Sequence, residues 1–106
     1  MSDIDACVVR TTAPDKEQAE KIVMAALEAR LAACVQIRAI TSYYWWDEKI
    51  ENADEQLIYL KTTNEKYDAL EAAILKIHPY DTPEILRLPV DGGLKKYLTW
   101  MVKETT

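Results

Sequence analysis

Two strand-forming runs lie almost back to back in this sequence, one from about Ala33 to Trp46 and the other from about Ile50 to Thr63. Only Asp47-Glu48-Lys49 stands between them, as a turn. The first run ends in Thr41-Ser42-Tyr43-Tyr44-Trp45-Trp46 and the second is centred on Leu57-Ile58-Tyr59-Leu60. Such β-branched and aromatic residues pack well on a pleated surface. So short a connection joins antiparallel strands and no others. The first run alone would span ~46 Å at ~3.3 Å per residue, whereas a compact chain of this length has a radius of gyration of only ~13 Å. The hairpin must therefore bend, or reach across to another subunit.

The flanking sequence supplies the rest of the fold. Ala6-Cys7-Val8-Val9 centres a first strand from about Ile4 to Thr12. Asp15 reads as a helix N-cap with Gln18 completing a capping box. Ala19, Ile22, Val23, Ala26 and Leu27 then form the apolar stripe of a helix lying on a sheet. After the hairpin, Asn64 is placed to cap a second helix with Tyr67, Leu70, Ile74 and Ile77 on one face. Pro79 ends that helix, because the residue before a proline is driven out of helical geometry. Glu84 to Val90 reads as a fourth strand, Asp91-Gly92-Gly93 as a turn, and Leu94, Tyr97, Leu98 and Met101 as a short C-terminal helix. Residues 1–106 make one α+β domain of order β-α-β-β-α-β plus a terminal helix. With right-handed crossovers this is the ferredoxin-like sandwich, an antiparallel sheet with both long helices on one face.

In that sandwich the uncovered sheet face should carry polar residues, yet Leu57-Ile58-Tyr59-Leu60 and Ala6-Cys7-Val8-Val9 are apolar on both faces. Each large side chain left in water forgoes roughly 1.5–3 kcal/mol of burial. The terminal helix is too short to cover four strands. Tyr43 and Trp45 also point opposite to Tyr44 and Trp46, so a lone hairpin would present aromatics on both sides. A symmetric oligomer covers both surfaces, and the aromatic run is read as an interface in preference to internal core.

The net charge of −5 disfavours nucleic acid and anionic membranes as partners, and makes a weak attraction for cations the natural consequence. Only two glycines occur, adjacent at Gly92-Gly93, so no glycine-rich phosphate loop and no organic cofactor of that kind is expected. Met1-Ser2-Asp3-Ile4-Asp5 is acidic where a secretory signal would be basic, and no apolar stretch approaches the ~20 residues needed to cross a bilayer. The expectation is a cytoplasmic protein whose two cysteines, Cys7 and Cys34, are reduced.

Four stretches carry the candidate chemistry. Cys34 is either a small buried hydrophobe or a soft ligand suited to Cu(I); Cys7 reads as core. His78, the single histidine, is either a helix C-terminal residue favoured by the dipole or a ligand beside Tyr80 and Glu84. Asp81 and Glu84 flank Pro83 as a solvated turn or a weak carboxylate pair. Lys61 ends its strand beside Thr62 and Thr63, placed for an ion pair with Glu84 or for an anionic ligand. One thiolate and one imidazole do not close a metal site, since stable tetrahedral sites need about four ligands.

The order and spacing of several pieces together resemble the CutA family of divalent-cation tolerance proteins. They are Thr11-Thr12-Ala13-Pro14, Leu31-Ala32-Ala33-Cys34-Val35, Thr41 to Trp46, Lys61-Thr62-Thr63, His78-Pro79-Tyr80-Asp81-Thr82-Pro83-Glu84 and Tyr97-Leu98-Thr99-Trp100. The resemblance implies a homotrimer like that of the PII signalling proteins, with sheets facing inward and long hairpins clasping neighbours. It also implies a link to copper and divalent-metal tolerance. Where relatives often place glycine in the hairpin turn, this chain has Glu48; where they carry Pro-Gly before the Thr-Ser pair, it has Arg38-Ala39-Ile40. On this reading the chain is a non-enzymatic trimer that binds copper or another divalent cation through Cys34, His78 and Glu84. Lys61, Tyr80 and Trp46 line a ligand pocket in the cleft between subunits. The alternatives are a PII-like small-molecule sensor, an enzyme with an intersubunit site using His78 as base, and a plain scaffold.

Overall fold

A computed structural model describes residues 5–106, in the order β1 (Ala6–Ala13), α1 (Lys16–Glu28), β2 (Cys34–Trp46), β3 (Lys49–Thr63), α2 (Tyr67–Ile77), β4 (Ile85–Val90) and α3 (Lys95–Glu104). The four strands form one antiparallel sheet ordered β2-β3-β1-β4. This is the α+β, ferredoxin-like arrangement that the periodicity predicts. The expected start of β1 at Ile4 lies outside the described residues. Among these residues no helix is long and apolar enough to cross a membrane.

Local signals account for most of the element ends. The Asp15 carboxylate accepts the Gln18 backbone N–H at 2.8 Å and so caps α1. The other end of α1 closes with paired bonds, Leu31 N–H to the Ala26 carbonyl at 2.9 Å and Arg30 N–H to that of Leu27 at 3.1 Å. That closure needs a left-handed residue, and Arg30 takes the place glycine usually fills, with φ 58°. Its guanidinium binds the Glu104 carboxylate at 2.8 Å and ties the end of α1 to α3. α2 stops at Ile77, and His78 is extended (φ −70°, ψ 134°), as Pro79 requires.

Three expectations are corrected. Asn64 does not cap α2: the chain enters that helix through a 3₁₀ turn at Asn64–Lys66, and the Asn64 N–H bonds the Asp5 carbonyl at 2.8 Å. Lys49 belongs to β3 rather than to the turn. Asp91-Gly92-Gly93 forms no tight turn; neither glycine has a positive φ, and the segment runs on into α3 as an irregular connection.

Register sorts the sheet residues by face. Cys7, Val9 and Ala13 of β1 and Ile58 and Leu60 of β3 bury themselves against Ala19, Ile22 and Ala26 of α1 and Leu70 and Ile74 of α2. Both long helices therefore cover one face. On the other, α3 covers only one end, where Leu98 and Met101 pack on Ala6, Ala33 and Val90. The centre of that second face is less wet than the sequence implies. Leu57 is buried and Val8 and Tyr59 are half-buried, with Arg10 lying over the Tyr59 ring. Apolar surface left in water includes Leu86 and Leu88 on edge strand β4, Leu94 ahead of α3, and the outer hairpin.

That hairpin keeps one unbroken register from Cys34 opposite Lys61 to Trp46 opposite Lys49. β1 accompanies β3 only as far as Gln56, so everything beyond it projects from the body. The molecule is accordingly elongated, 46 × 26 × 22 Å, with a radius of gyration of 14.5 Å. Tyr43, Trp45, Trp46 and Ile50 are 74, 73, 68 and 66 % exposed on the projection. At its tip Asp47 and Glu48 both have positive φ, 51° and 62°, the type I′ geometry that normally takes Asn-Gly or Asp-Gly. Left-handed backbone costs a non-glycine residue roughly 1–2 kcal/mol. Glu48→Gly is therefore expected to stabilise the fold by about 0.5–1 kcal/mol net of glycine's entropy, read as a higher urea midpoint with unchanged slope. An unchanged or lower midpoint would remove strain from the account of the tip.

Candidate functional site

The segment after α2 is held by several side-chain hydrogen bonds. The His78 Nε2–H donates to the Thr12 carbonyl at 2.8 Å and lies 3.4 Å from Thr11 Oγ1. Its Nδ1 accepts the Tyr80 backbone N–H at 3.1 Å. The neutral Nε2–H tautomer satisfies both contacts, so both ring nitrogens are engaged. Tyr80 stacks at a tilt on the imidazole, with centroids 5.0 Å apart, and its hydroxyl donates to Glu55 Oε2 at 2.8 Å. His78 and Tyr80 are thus brought together as the sequence indicates. Glu55, which nothing in its local sequence singles out, joins them across the base of the hairpin.

Glu84 lies just before β4 and is bound to the Arg10 Nε–H at 2.9 Å. The expected Lys61–Glu84 pair is therefore not formed, because Arg10 sits closer on the adjacent strand. Arg10 also lies over the Tyr59 ring, 6.0 Å from its centroid. Lys61 turns instead to α3, its Nζ 3.4 Å from the Tyr97 hydroxyl and 5.4 Å from that ring's centroid. Cys34 faces Lys61 directly across the β2–β3 ladder, half-buried and with a free thiol. Cys7 is buried, and burial pushes its thiol above the ordinary range, against a small opposing pull from the Arg87 charge. It is core, as expected.

The three proposed metal ligands do not converge within one chain. Cys34 is level with Val8 of β1 through Lys61, whereas His78 grips Thr12, four residues or ~13 Å further along. Glu84 is occupied by Arg10. Among the described residues no group of three or more His, Cys, Asp or Glu side chains could hold a metal ion. The pocket residues are also dispersed. Trp46 pairs with Lys49 at the tip, Tyr80 meets Glu55 at the base, and Lys61 lies beyond; each step along β3 is six residues, ~20 Å. Any site that uses these side chains together must draw them from more than one subunit.

The model of the CutA1 divalent ion tolerance protein family matches residues 7–104. The divalent-cation tolerance protein CutA of Pyrococcus horikoshii is 43 % identical over 98 residues, which cover 92 % of this chain and 96 % of that protein. The chloroplastic protein CutA 1 of Oryza sativa is 38 % identical over 103 residues, covering 96 % of this chain and 58 % of the longer plant protein. The solved structure of the periplasmic divalent cation tolerance protein CutA from Archaeoglobus fulgidus superposes with a TM-score of 0.94 at 39 % identity, covering 95 % of this chain and 99 % of that one.

Two phenols are shifted by their surroundings. Tyr80 is held well above the ordinary phenol range, first by burial and then by its bond to Glu55 and that carboxylate's charge. Tyr67 is pushed up to about 12, first by its hydrogen bond to Glu71, then by burial. Both folded values exceed the unfolded one. Their contribution to stability is therefore complete below pH ~10 and is lost as pH climbs through the folded values. Titration followed by phenolate absorbance should contain two late steps, one removed by Tyr67→Phe and the other by Tyr80→Phe. A titration above pH ~10 that neither substitution alters would contradict the assignment.

Proposed function

Because the chain belongs to the CutA1 divalent ion tolerance family, we propose that it is a non-enzymatic homotrimer. In this reading it binds copper or another divalent cation in clefts between subunits. The observation that carries the proposal is the dispersal of its candidate ligands. Each chain offers donors of the right chemistry, yet a single chain cannot bring them to one point. Threefold association repeats every donor around an axis and supplies the multiplicity a closed site needs.

The donors differ in readiness. The Cys34 thiol is free and half-buried on the second sheet face, and thiolate sulfur is the ligand type that prefers Cu(I). His78 would first have to release Thr12 or Tyr80, and Glu84 would have to release Arg10. Cys34 is therefore the primary ligand, with His78 and Glu84 recruited as subunits close. Lys61, Tyr80 and Trp46 line the cleft from different subunits. A reducing compartment suits such a thiol, which favours the cytoplasm. The chloroplastic and periplasmic names belong to the Oryza sativa and Archaeoglobus fulgidus proteins.

Competition with a chromogenic Cu(I) chelator under reducing conditions tests this directly. Saturable binding at a fixed ratio to subunits is expected. Cys34→Ala should weaken it at least tenfold while leaving the assembled mass unchanged. Absence of saturable binding would overturn the metal reading, and affinity that survives both Cys34→Ala and His78→Ala would overturn the assignment of these ligands.

A further inference from the structure

The projecting hairpin leaves the sheet at Glu55, one residue past the last β3 position paired with β1. A two-stranded ribbon has no third strand to fix its angle, and isolated ribbons are marginal in water. Here one side chain from outside the ribbon, Tyr80, bonds it at that point of departure, through the Glu55 carboxylate at 2.8 Å. Tyr80 is itself held at its backbone N–H by His78 Nδ1, and the opposite nitrogen of His78 is anchored to the Thr12 carbonyl, on the strand the ribbon is leaving. The chain of bonds is continuous: Thr12 carbonyl, imidazole, Tyr80 backbone, Tyr80 hydroxyl, Glu55. Every link joins groups that are half-buried, where water competes less for them. Arg10–Glu84 pins the far end of the same segment to β1, so the segment is tethered on both sides of Tyr80.

We infer that the His78–Tyr80 segment is a brace that sets the angle of the hairpin, with His78 and Tyr80 as positioning residues acting through Glu55. Imidazole suits this position because one rigid ring can donate to Thr12 on one side and accept from Tyr80 on the other. The inference concerns the hairpin of each chain and does not rest on the metal reading; only its effect on assembly rests on the homotrimer.

Hydrogen exchange of the intact protein tests it with three variants, Tyr80→Phe, Glu55→Ala and the two combined. Each single variant should speed exchange of hairpin amides in residues 40–55 about tenfold, with the β1–β3 core amides around Val9 and Leu60 unchanged. The double variant should be no faster than either single one, because both remove the same bond. Weaker self-association on dilution should accompany the change. Unaltered hairpin exchange, acceleration shared equally by the core, or additive effects in the double variant would each overturn the brace. If the unmodified protein sediments as a single chain, the homotrimer fails, but the exchange data still decide the brace.

Discussion

Beyond Gln56 no third strand lies beside the β2–β3 ribbon among the described residues, and that lack of support organises the rest of the structure. A ribbon of this length gains backbone hydrogen bonds along its whole ladder, but its side chains have neighbours only across the strand pair. Tyr43, Trp45, Trp46 and Ile50 consequently stand in water on both of its sides. Large aromatic side chains exposed together forgo several kcal/mol of burial between them. The same chain leaves Leu86 and Leu88 exposed on β4, the sheet edge farthest from the ribbon. Among the described residues β2 and β4 are the sheet edges, and exposed apolar side chains on the hairpin and on β4 lie at opposite sides of the molecule, an arrangement that favours head-to-tail association, which closes on itself when the rotation permits.

The body of the domain is built to hold that ribbon steady. α1 and α2 cover one face of the sheet with a continuous aliphatic core, so β1 and β3 are fixed where the ribbon begins. α3 adds a second, smaller core and is tied back to the end of α1 by Arg30–Glu104. Local strain is concentrated where the chain reverses. Arg30, Asp47 and Glu48 all occupy left-handed backbone without glycine's freedom. At Arg30 the side chain is engaged in an ion pair with Glu104 and a bond to the Glu104 carbonyl.

Much of this was legible in the sequence, because periodicity is a local signal. Ala19, Ile22 and Ala26 recur as a helix buried on one side requires, and Leu70 and Ile74 do the same for α2. The hairpin followed from the short connection alone. Side-chain partners were less legible, since they depend on register and on the path of loops. Lys61 and Glu84 have opposite charges and nearby motifs, yet β1 places Arg10 against Glu84 and α3 places Tyr97 against Lys61. Glu55 sits in a run of acidic residues that reads as a solvated edge, and only the return of the chain after Pro79 makes it Tyr80's partner. Asn64 carries the usual capping chemistry, but Thr63 ends its strand so close to the helix that a 3₁₀ turn intervenes. That the candidate ligands Cys34 and His78 stand far apart in one chain required three dimensions.

The functional reading follows from the same geometry. A family defined by tolerance of divalent ions, a free thiol on a half-covered sheet face, and donors set ~13 Å apart along the sheet fit a site completed between subunits. Self-association is the claim on which that site depends, and sedimentation velocity at low micromolar concentration measures it most directly. A single species at three times the 12.2 kDa chain mass is the predicted result. A folded species at the mass of one chain would contradict it, because the outer hairpin would then be stable while wet.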